Sequence, residues 1–479
     1  MKVLFAVAEC APFFKTGGLG DVAGALPKEL AKKRIDIAVV LPYFTKMPDV
    51  YKEQCEELAT FSVEVGWRHQ YCGVKRLILK GIAYYFIDNL YYFDREQLYG
   101  YDDDAERFAF FSLAIIKMLE NIEFRPDIIH VNDFHTAMVP FLLKEKYQAD
   151  ENLHAIKTVL TIHNIEFQGA YSKDLLPDLF GMGSERFNDS VTRFRDGVNY
   201  LKAGILYADR VNTVSPTYAE EIKTAEFGFG LDGILRLEQG KVSGILNGID
   251  YEMNDPETDQ LISENFSLND LSGKQKNKQA LQKKLNLPVK VGVPLIGIVS
   301  RLTFQKGFHL VLDELTNFLE QDVQLVLLGT GDPGIEHSFR SFGERYPDKI
   351  SVNIKFDVSL AQLIYAGADL FWMSSATEPC GLSQMIAMRY GTLPIVHEVG
   401  GLKDTVLPYD LTTKTGTGFG FSEFSSYSLM YSTLTAIDLY RKDQQTWQQL
   451  IKNAMEKDFS WEKSSQVYLD LYKEIIQVG

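Results

Sequence analysis

Lys2 to Ala8 (KVLFAVA) is a short apolar run rich in Val, Leu and Phe, and a glycine-rich turn, Lys15-Thr16-Gly17-Gly18-Leu19-Gly20-Asp21, soon follows it. Val22, Leu26 and Leu30 then recur at four-residue spacing, which is the apolar face of a helix. Strand, glycine turn and helix in that order predict a βα unit of a parallel sheet. Glycine lets the backbone take positive φ and approach a ligand closely. A helix start offers unpaired N–H groups and a partial positive charge, and Lys15 adds a full one, so a phosphate-bearing ligand is expected here. The same turn also suits a tight βα connection with an exposed lysine. It matches neither GxGxxG nor GxxxxGK[ST], so the rest of the chain has to decide.

The rhythm continues. Ile35 to Leu41 reads as a second buried strand, and Glu106 to Glu120 as a helix with an apolar stripe. Between them, Tyr43 to Tyr101 is aromatic-rich and changes period often. It predicts strands and loops near an opening, with Tyr84-Tyr85-Phe86 and Tyr91-Tyr92-Phe93 more readily core than sugar-stacking platforms. Asp127 to His135 (DIIHVNDFH) is a strand ending in polar groups at the sheet edge where ligands bind. His130, Asp133 and His135 lack a further strong ligand at a recognised spacing, which argues against a metal. Hydrogen bonding to a polyhydroxylated ligand is the better reading, with a helix N-cap by Asp133 as the bland one. Thr158 to Ile162 repeats the layout and delivers His163-Asn164. Tyr200 to Tyr207 predicts a helix and Arg210 to Val214 a strand. The Asn247-Gly248 pair then marks a turn and a hinge entry.

After a polar, lysine-rich stretch from Asp255 to Leu287, with a helix around Lys274 to Leu285, a new buried strand begins at Pro294 to Val299. It leads through Ser300-Arg301-Leu302-Thr303-Phe304-Gln305-Lys306-Gly307 into a helix from Phe308 to Glu320. Two cations on one strand-to-helix loop suit a diphosphate, the guanidinium gripping two oxygens and the ammonium acting as a point charge. Further strands are expected at Val323 to Leu328, Ile350 to Ile354 and Asp369 to Met373. The last delivers Glu378-Pro379-Cys380-Gly381-Leu382 to the start of another helix. Glu378 suits sugar hydroxyls or a developing positive charge, with helix-end charge compensation as its structural alternative. Cys380 at a helix start invites a lowered thiol pKa, but no base partner is evident and a substrate contact is preferred. Gly400 to Thr405 (GGLKDT) is a third glycine-to-helix turn. The whole is α/β: two Rossmann-like doubly wound domains with a deep cleft between them.

Composition narrows the partners. With 49 Lys and Arg against 64 Asp and Glu, the net charge of −15 disfavours nucleic acid and anionic membranes, so an anionic substrate needs a local basic pocket. Cys10, Cys55, Cys72 and Cys380 show no paired spacing, and the expectation is reduced thiols in the cytoplasm. The first apolar run is broken by Glu9 and Pro12, too short for a signal peptide, and no run approaches the ~20 apolar residues of a membrane span.

In order along the chain, KTGGLGDVAGALPK, TIHNIEFQG, LKAGILYADRVNTVSP, EFGFGLDGIL, ILNGID, SRLTFQKG, EPCGLSQMIAMRYGTLPIV and GGLKDT closely resemble bacterial glycogen synthases and plant starch synthases, over essentially the whole chain. The resemblance implies the GT-B fold, with residues 1–246 as an N-terminal domain, 247–457 as a C-terminal one and 458–479 as a helix crossing back. It implies retaining transfer of glucose from ADP-glucose to the non-reducing 4-hydroxyl of glycogen or a linear α-1,4-glucan. No cofactor, metal, nucleic acid or membrane enters, and a homo-oligomer is compatible with it. By the same resemblance His163, Glu378, Asp133, Arg301 and Lys306 are catalytic. Lys15, Gly17, Gly18, Asp21, Asn164, Asn247, Phe356, Cys380, Gly381, Leu382 and Thr405 join Arg301 and Lys306 around the donor. Departures from the family pattern are Phe134 for Trp, Phe356 for Tyr, Ala376-Thr377 for Arg-Phe, His309 for Asp and His397 for Arg. They bear on base preference and acceptor affinity rather than on reaction class. Competing readings are a related transferase with another nucleotide sugar or a small acceptor, a glucan-binding relic without turnover, and, last, a pyridoxal-dependent phosphorylase. Remote glucan docking is expected in the aromatic region before residue 101.

Overall fold

The computed structural model describes residues 1–477, and the chain forms two compact units, Met1–Leu246 with the segment from Trp461, and Asn247–Ser460. In the first unit the strands are β1 (Lys2–Ala6), β2 (Asp36–Pro42), β3 (Glu56–Val65), β4 (Arg68–Leu79), β5 (Ile82–Asp88), β6 (Ile128–Asn132), β7 (Lys157–Ile162), β8 (Ala170–Ser172), β9 (Arg193–Phe194), β10 (Gly197–Asn199), β11 (Arg210–Thr213) and β12 (Val242–Gly244). Nine of them make one sheet in the order β12-β11-β7-β6-β1-β2-β5-β4-β3, and β8, β10 and β9 make a small separate one. The large sheet is parallel except where β4 runs antiparallel to β5 and β3. Strands β1, β2, β6 and β7 are buried along almost their whole length, as expected of parallel strands covered on both faces.

The aromatic stretch before residue 101 supplies the antiparallel extension. Tyr84, Phe86, Tyr92 and Phe93 are fully buried and Tyr85 nearly so; Tyr84 and Phe86 pack edge-to-face on Phe13 and Phe93 on Phe44, while Tyr92 lies tilted against Phe110. Of the two aromatic triplets only Tyr91 is exposed, so these rings build core, not a docking face. The helix Trp461–Gln477 packs on the Gly18–Lys32 helix of the same unit. Its contacts with the sheet are polar as well as apolar. Tyr472 Oη lies 2.6 Å from His130 Nδ1, and Asn212 Nδ2 donates to Tyr468 Oη at 3.0 Å.

The second unit carries β13 (Leu295–Val299), β14 (Gln324–Leu328), β15 (Ile350–Asn353), β16 (Leu370–Met373), β17 (Leu393–His397) and β18 (Phe419–Phe421). All are parallel, in the order β15-β14-β13-β16-β17-β18. Counted within the unit this is the doubly wound order in which chain direction across the sheet reverses beside the first strand, here between β13 and β16. The lysine-rich stretch is less solvated than its composition predicts. Within the Ser272–Lys284 helix, Lys278 is buried with Nζ 2.6 Å from Asp369 Oδ2 and 2.6 Å from Val293 O. Lys274 Nζ donates to Tyr390 O and Thr392 Oγ1. These buried ammonium groups satisfy carbonyls outside the strands, that of Tyr390 at the end of the Ser383–Arg389 helix and that of Val293 just before β13. Among the described residues no helix is long and apolar enough to cross a membrane.

Candidate functional site

In the first unit the sheet reverses between β1 and β6, and the loops leaving those strands carry the glycine turn and Asp133. The turn is not an empty anion cradle. Glu9, 1% exposed, sends Oε2 to Thr16 N and Thr16 Oγ1 at 2.7 Å each, and Oε1 to Gly17 N at 3.2 Å and Gly20 N at 3.0 Å. An internal carboxylate thus takes three of the N–H groups that the turn was expected to offer to phosphate, those of Thr16, Gly17 and Gly20. Lys15 is likewise compensated, with Nζ 2.5 Å from Asp21 Oδ1. A cavity of about 420 Å³ opens beside the turn, lined by Phe13, Phe14, Lys15, Thr16, Lys46, Glu96, Gln97, Leu98 and Tyr99. Gly17 and Gly18 are exposed there, and nothing lies within 4 Å of a side-chain carbon built on Gly17.

Asp133 is not a helix cap. It sits at φ 54°, and its Oδ1 accepts the His163 backbone N–H at 2.7 Å, with the Asn164 N–H directed at the same carboxylate. Burial raises its pKa to about 7; Glu9 adds to the rise and the two N–H groups oppose it. The His163 ring is half-buried, with Nε2 2.9 Å from Asn132 Oδ1, and burial lowers its pKa to about 3. Asn164 uses Oδ1 to accept Glu166 N in a local turn. His130 and His135 point elsewhere. The His130 ring lies between Tyr472 and Thr161, and His135 stacks on Phe134 with centroids 3.9 Å apart. Among the described residues no group of three or more His, Cys, Asp or Glu side chains is arranged to hold a metal ion.

In the second unit the loops after β13 and β16 meet at the reversal point. Lys306 ends a 3-10 turn (Phe304–Lys306), and Gly307 follows at φ 72°, where a side-chain carbon would fall 1.9 Å from Ser374 O. That close approach brings Lys306 Nζ to 2.5 Å from Glu378 Oε2, which also accepts Ser375 Oγ–H at 2.8 Å. Lys306 is therefore half of a buried pair rather than a free cation. The Arg301 guanidinium, by contrast, is exposed and has no ion-pair partner among the described residues. The Gly400-Gly401 turn packs on the Glu378 loop so tightly that side-chain carbons there would lie 2.0 Å from Glu378 O and 2.1 Å from Cys380 O.

Burial raises the Cys380 thiol to about 12, reversing the low pKa that its place before a helix suggested; the Asn247 N–H directed at its sulfur opposes the rise only in part. Gly381 sits at φ 74° and Leu382 caps the Ser383–Arg389 helix. Asn247 is buried with Oδ1 unpartnered. Thr405 is buried, its hydroxyl donating to Gly401 O at 2.6 Å and accepting from Gln384 Nε2 at 3.1 Å, so its oxygen is already engaged. Phe356 is 87% exposed, an open ring at the end of β15. Of the residues where the chain departs from the family pattern, His397 donates Nδ1–H to Ser375 O at 2.8 Å, and His309 lies between the Phe304 and Phe424 rings. Glu9, Asn132, Ser375 and Gln384 escaped the sequence reading. Only Glu9 had a local signal, an acid that ends the apolar run Lys2 to Ala8 ahead of a glycine turn.

Residues 2–237 match the starch synthase catalytic domain family and residues 277–456 the glycosyl transferases group 1 family. The chain is 60% identical to the glycogen synthase of Lactococcus lactis subsp. lactis and 58% identical to that of Streptococcus gordonii, in each case over 99% of this chain and all of the relative. Among solved structures, the catalytic domain of starch synthase IV from Arabidopsis thaliana, bound to ADP and acarbose, superposes with a TM-score of 0.91 at 36% identity, covering 99% of both chains. A sucrose-phosphate synthase from Thermosynechococcus elongatus covers the full length of both chains with a TM-score of 0.62 at 18% identity, a likeness of fold alone.

Proposed function

This chain belongs to the family of bacterial glycogen synthases and plant starch synthases and is a glucosyltransferase of glycogen synthesis, and from that premise we propose that it takes glucose from ADP-glucose and adds it, with retention, to the non-reducing 4-hydroxyl of an α-1,4-glucan in the cytoplasm. The full-length likeness to glycogen synthases carries this reading, and ADP in the related starch synthase structure supports the base.

In the proposed reaction the bond from the anomeric carbon to the ADP oxygen breaks and negative charge grows on the leaving diphosphate. The exposed Arg301 guanidinium and the Lys306 ammonium stabilise that charge. Glu378, held by Lys306 and Ser375, keeps a carboxylate beside the glucosyl group as it gains oxocarbenium character. His163 binds a sugar hydroxyl, and the exposed Phe356 ring stacks on the adenine. The acceptor 4-hydroxyl attacks from the face the ADP leaves, and its proton passes to a departing phosphate oxygen. Charge compensation by side chains alone accounts for the step, and the proposal invokes no metal or cofactor. A covalent route instead needs a carboxylate on the opposite face.

The test is incorporation of radiolabelled glucose into glycogen from ADP-glucose against UDP-glucose, with Lys306→Ala as control. Incorporation driven by ADP-glucose and lost in the variant is expected. Incorporation from neither donor would overturn the substrate reading, and a trapped glucosyl adduct would overturn same-face attack.

A further inference from the structure

Asn132, the last residue of β6, is fully buried, and every polar atom of its amide has an assigned partner. Nδ2 lies 3.0 Å from Ala6 O and 3.4 Å from His130 O. Backbone carbonyls only accept, so the NH₂ must face them, and Oδ1 is left facing His163 Nε2 at 2.9 Å. An amide oxygen also only accepts, so His163 Nε2 must carry the hydrogen. In a neutral imidazole the other nitrogen is then a bare acceptor. His163 Nδ1 has no hydrogen-bond partner among the described residues, and it is not one of the fully buried, unsatisfied polar atoms. The strand ends are further pinned by Asp133, which accepts the His163 backbone N–H at 2.7 Å.

We infer that Asn132 is a positioning residue that locks His163 in the Nε2–H tautomer, so that Nδ1 accepts from a substrate hydroxyl and the ring reads that hydroxyl only as a donor. This deepens the glucosyl-transfer reading and rests on it for the identity of the hydroxyl. The electrostatic logic is simple. A protonated imidazole beside a sugar carbon gaining positive charge would oppose the reaction, whereas a neutral acceptor adds no charge. The titratable and charged groups around the ring act in keeping with this. His130 and His135 are held neutral by burial, with Arg107 depressing His135 further, and Asp133 faces the His163 backbone. Burial holds His163 itself neutral.

The experiment is two-bond proton–nitrogen correlation on the full chain labelled with ring-¹⁵N histidine, with His163 assigned from its loss in His163→Gln. A single Nε2–H tautomer that does not titrate between about pH 6 and 9 is expected, with ADP-glucose shifting Nδ1 and leaving the Nε2 proton in place. Asn132→Asp keeps an acceptor toward Nε2 and brings a negative charge, which raises the His163 pKa, while setting an oxygen where the NH₂ faced the Ala6 and His130 carbonyls. That variant should protonate near neutrality and acquire an acid limb in glucosyl transfer of about tenfold per pH unit. A purely structural role would lower activity without adding that limb. An Nδ1–H or exchanging tautomer in the wild type overturns the inference, as does a variant that keeps an untitrated ring and the wild-type pH profile. Where Asn132→Asp fails to fold, the wild-type spectrum decides alone. If the wild-type chain transfers glucose from neither donor yet shows the fixed Nε2–H tautomer, the reaction reading fails and the tautomer assignment stands.

Discussion

Lys306 Nζ lies 2.5 Å from Glu378 Oε2, with the two side chains only 16% and 9% exposed. The expected cation of the site is thus charge-compensated before any anion arrives, and the arriving diphosphate competes for an ammonium already oriented by its partner. Lys306→Ala should lower glucosyl transfer by about 10²-fold or more, as loss of a charge-stabilising donor commonly does. It should also destabilise the second unit by about 1–3 kcal/mol, because among the described residues the Glu378 carboxylate keeps only Ser375. Adding Glu378→Gln should recover much of that stability and none of the activity, since the buried charge is gone but the machinery is not restored. Thermal unfolding beside the radiolabel assay reads both. A double variant less stable than Lys306→Ala would refute the pairing argument.

Glu9 gathers Thr16, Gly17 and Gly20 N–H onto one carboxylate. Glu9→Gln retains the shape but offers one acceptor oxygen in place of two and turns an NH₂ toward N–H donors. Amide hydrogen exchange at residues 15–20 should accelerate, with about 1–3 kcal/mol lost from global stability. In the wild type, added pyrophosphate should not slow exchange at Thr16, Gly17 and Gly20, because their N–H groups are taken. Protection of those amides would restore the turn as a phosphate cradle.

The βα rhythm was legible wherever periodicity is local. The helix expected from Phe308 to Glu320 occupies those residues, and the strand after Pro294 begins one residue later. The antiparallel extension was not legible, because β3 and β4 show mixed exposure without a clean two-residue period, even though they pair as a local hairpin with Val65 opposite Arg68. The burial of Lys274 and Lys278 was not legible in the polar, lysine-rich stretch, since nothing local announces the carbonyls of Tyr390 and Val293 or the carboxylate of Asp369. The site divides the same way. Residue types at strand ends pointed to Arg301, Lys306, Glu378, Asp133 and His163, while the pairings that set charge and tautomer, Lys306 with Glu378 and His163 with Asn132, join residues 72 and 31 apart in sequence.

Cys380 illustrates the opposite force of burial over local context. Its thiol is pushed up to about 12, so alkylating reagents at pH 8 should leave it untouched in the native chain. Cys10 and Cys72 are also buried, and Cys55 is the half-buried one. Peptide mapping after iodoacetamide should therefore find modification at Cys55 first, and Cys380→Ser should retain glucosyl transfer within about tenfold, because no thiolate takes part. Rapid modification of Cys380 with loss of activity would reinstate a reactive cysteine.

Asp133 makes the sharpest pH prediction. Burial and the neighbouring Glu9 charge raise its folded pKa to about 7, above the ordinary value of 3.8 that the unfolded chain shows. Between those values the folded protein holds a proton that the unfolded chain has released, so this residue's contribution to stability falls as pH rises and levels off above pH 7. His130, His135 and His163, each lowered to about 3 by burial, act in the opposite sense below pH 6.5. Their contribution is common to wild type and Asp133→Asn and cancels in the difference to first order. Asn can still accept the His163 N–H and does not titrate. Urea unfolding of both proteins should therefore show the wild type losing stability relative to the variant by up to about 1.4 kcal/mol per pH unit through this window. A difference that stays flat from pH 4 to pH 8, or one of opposite slope, would show that the carboxylate is ionised throughout and that the two N–H groups outweigh burial.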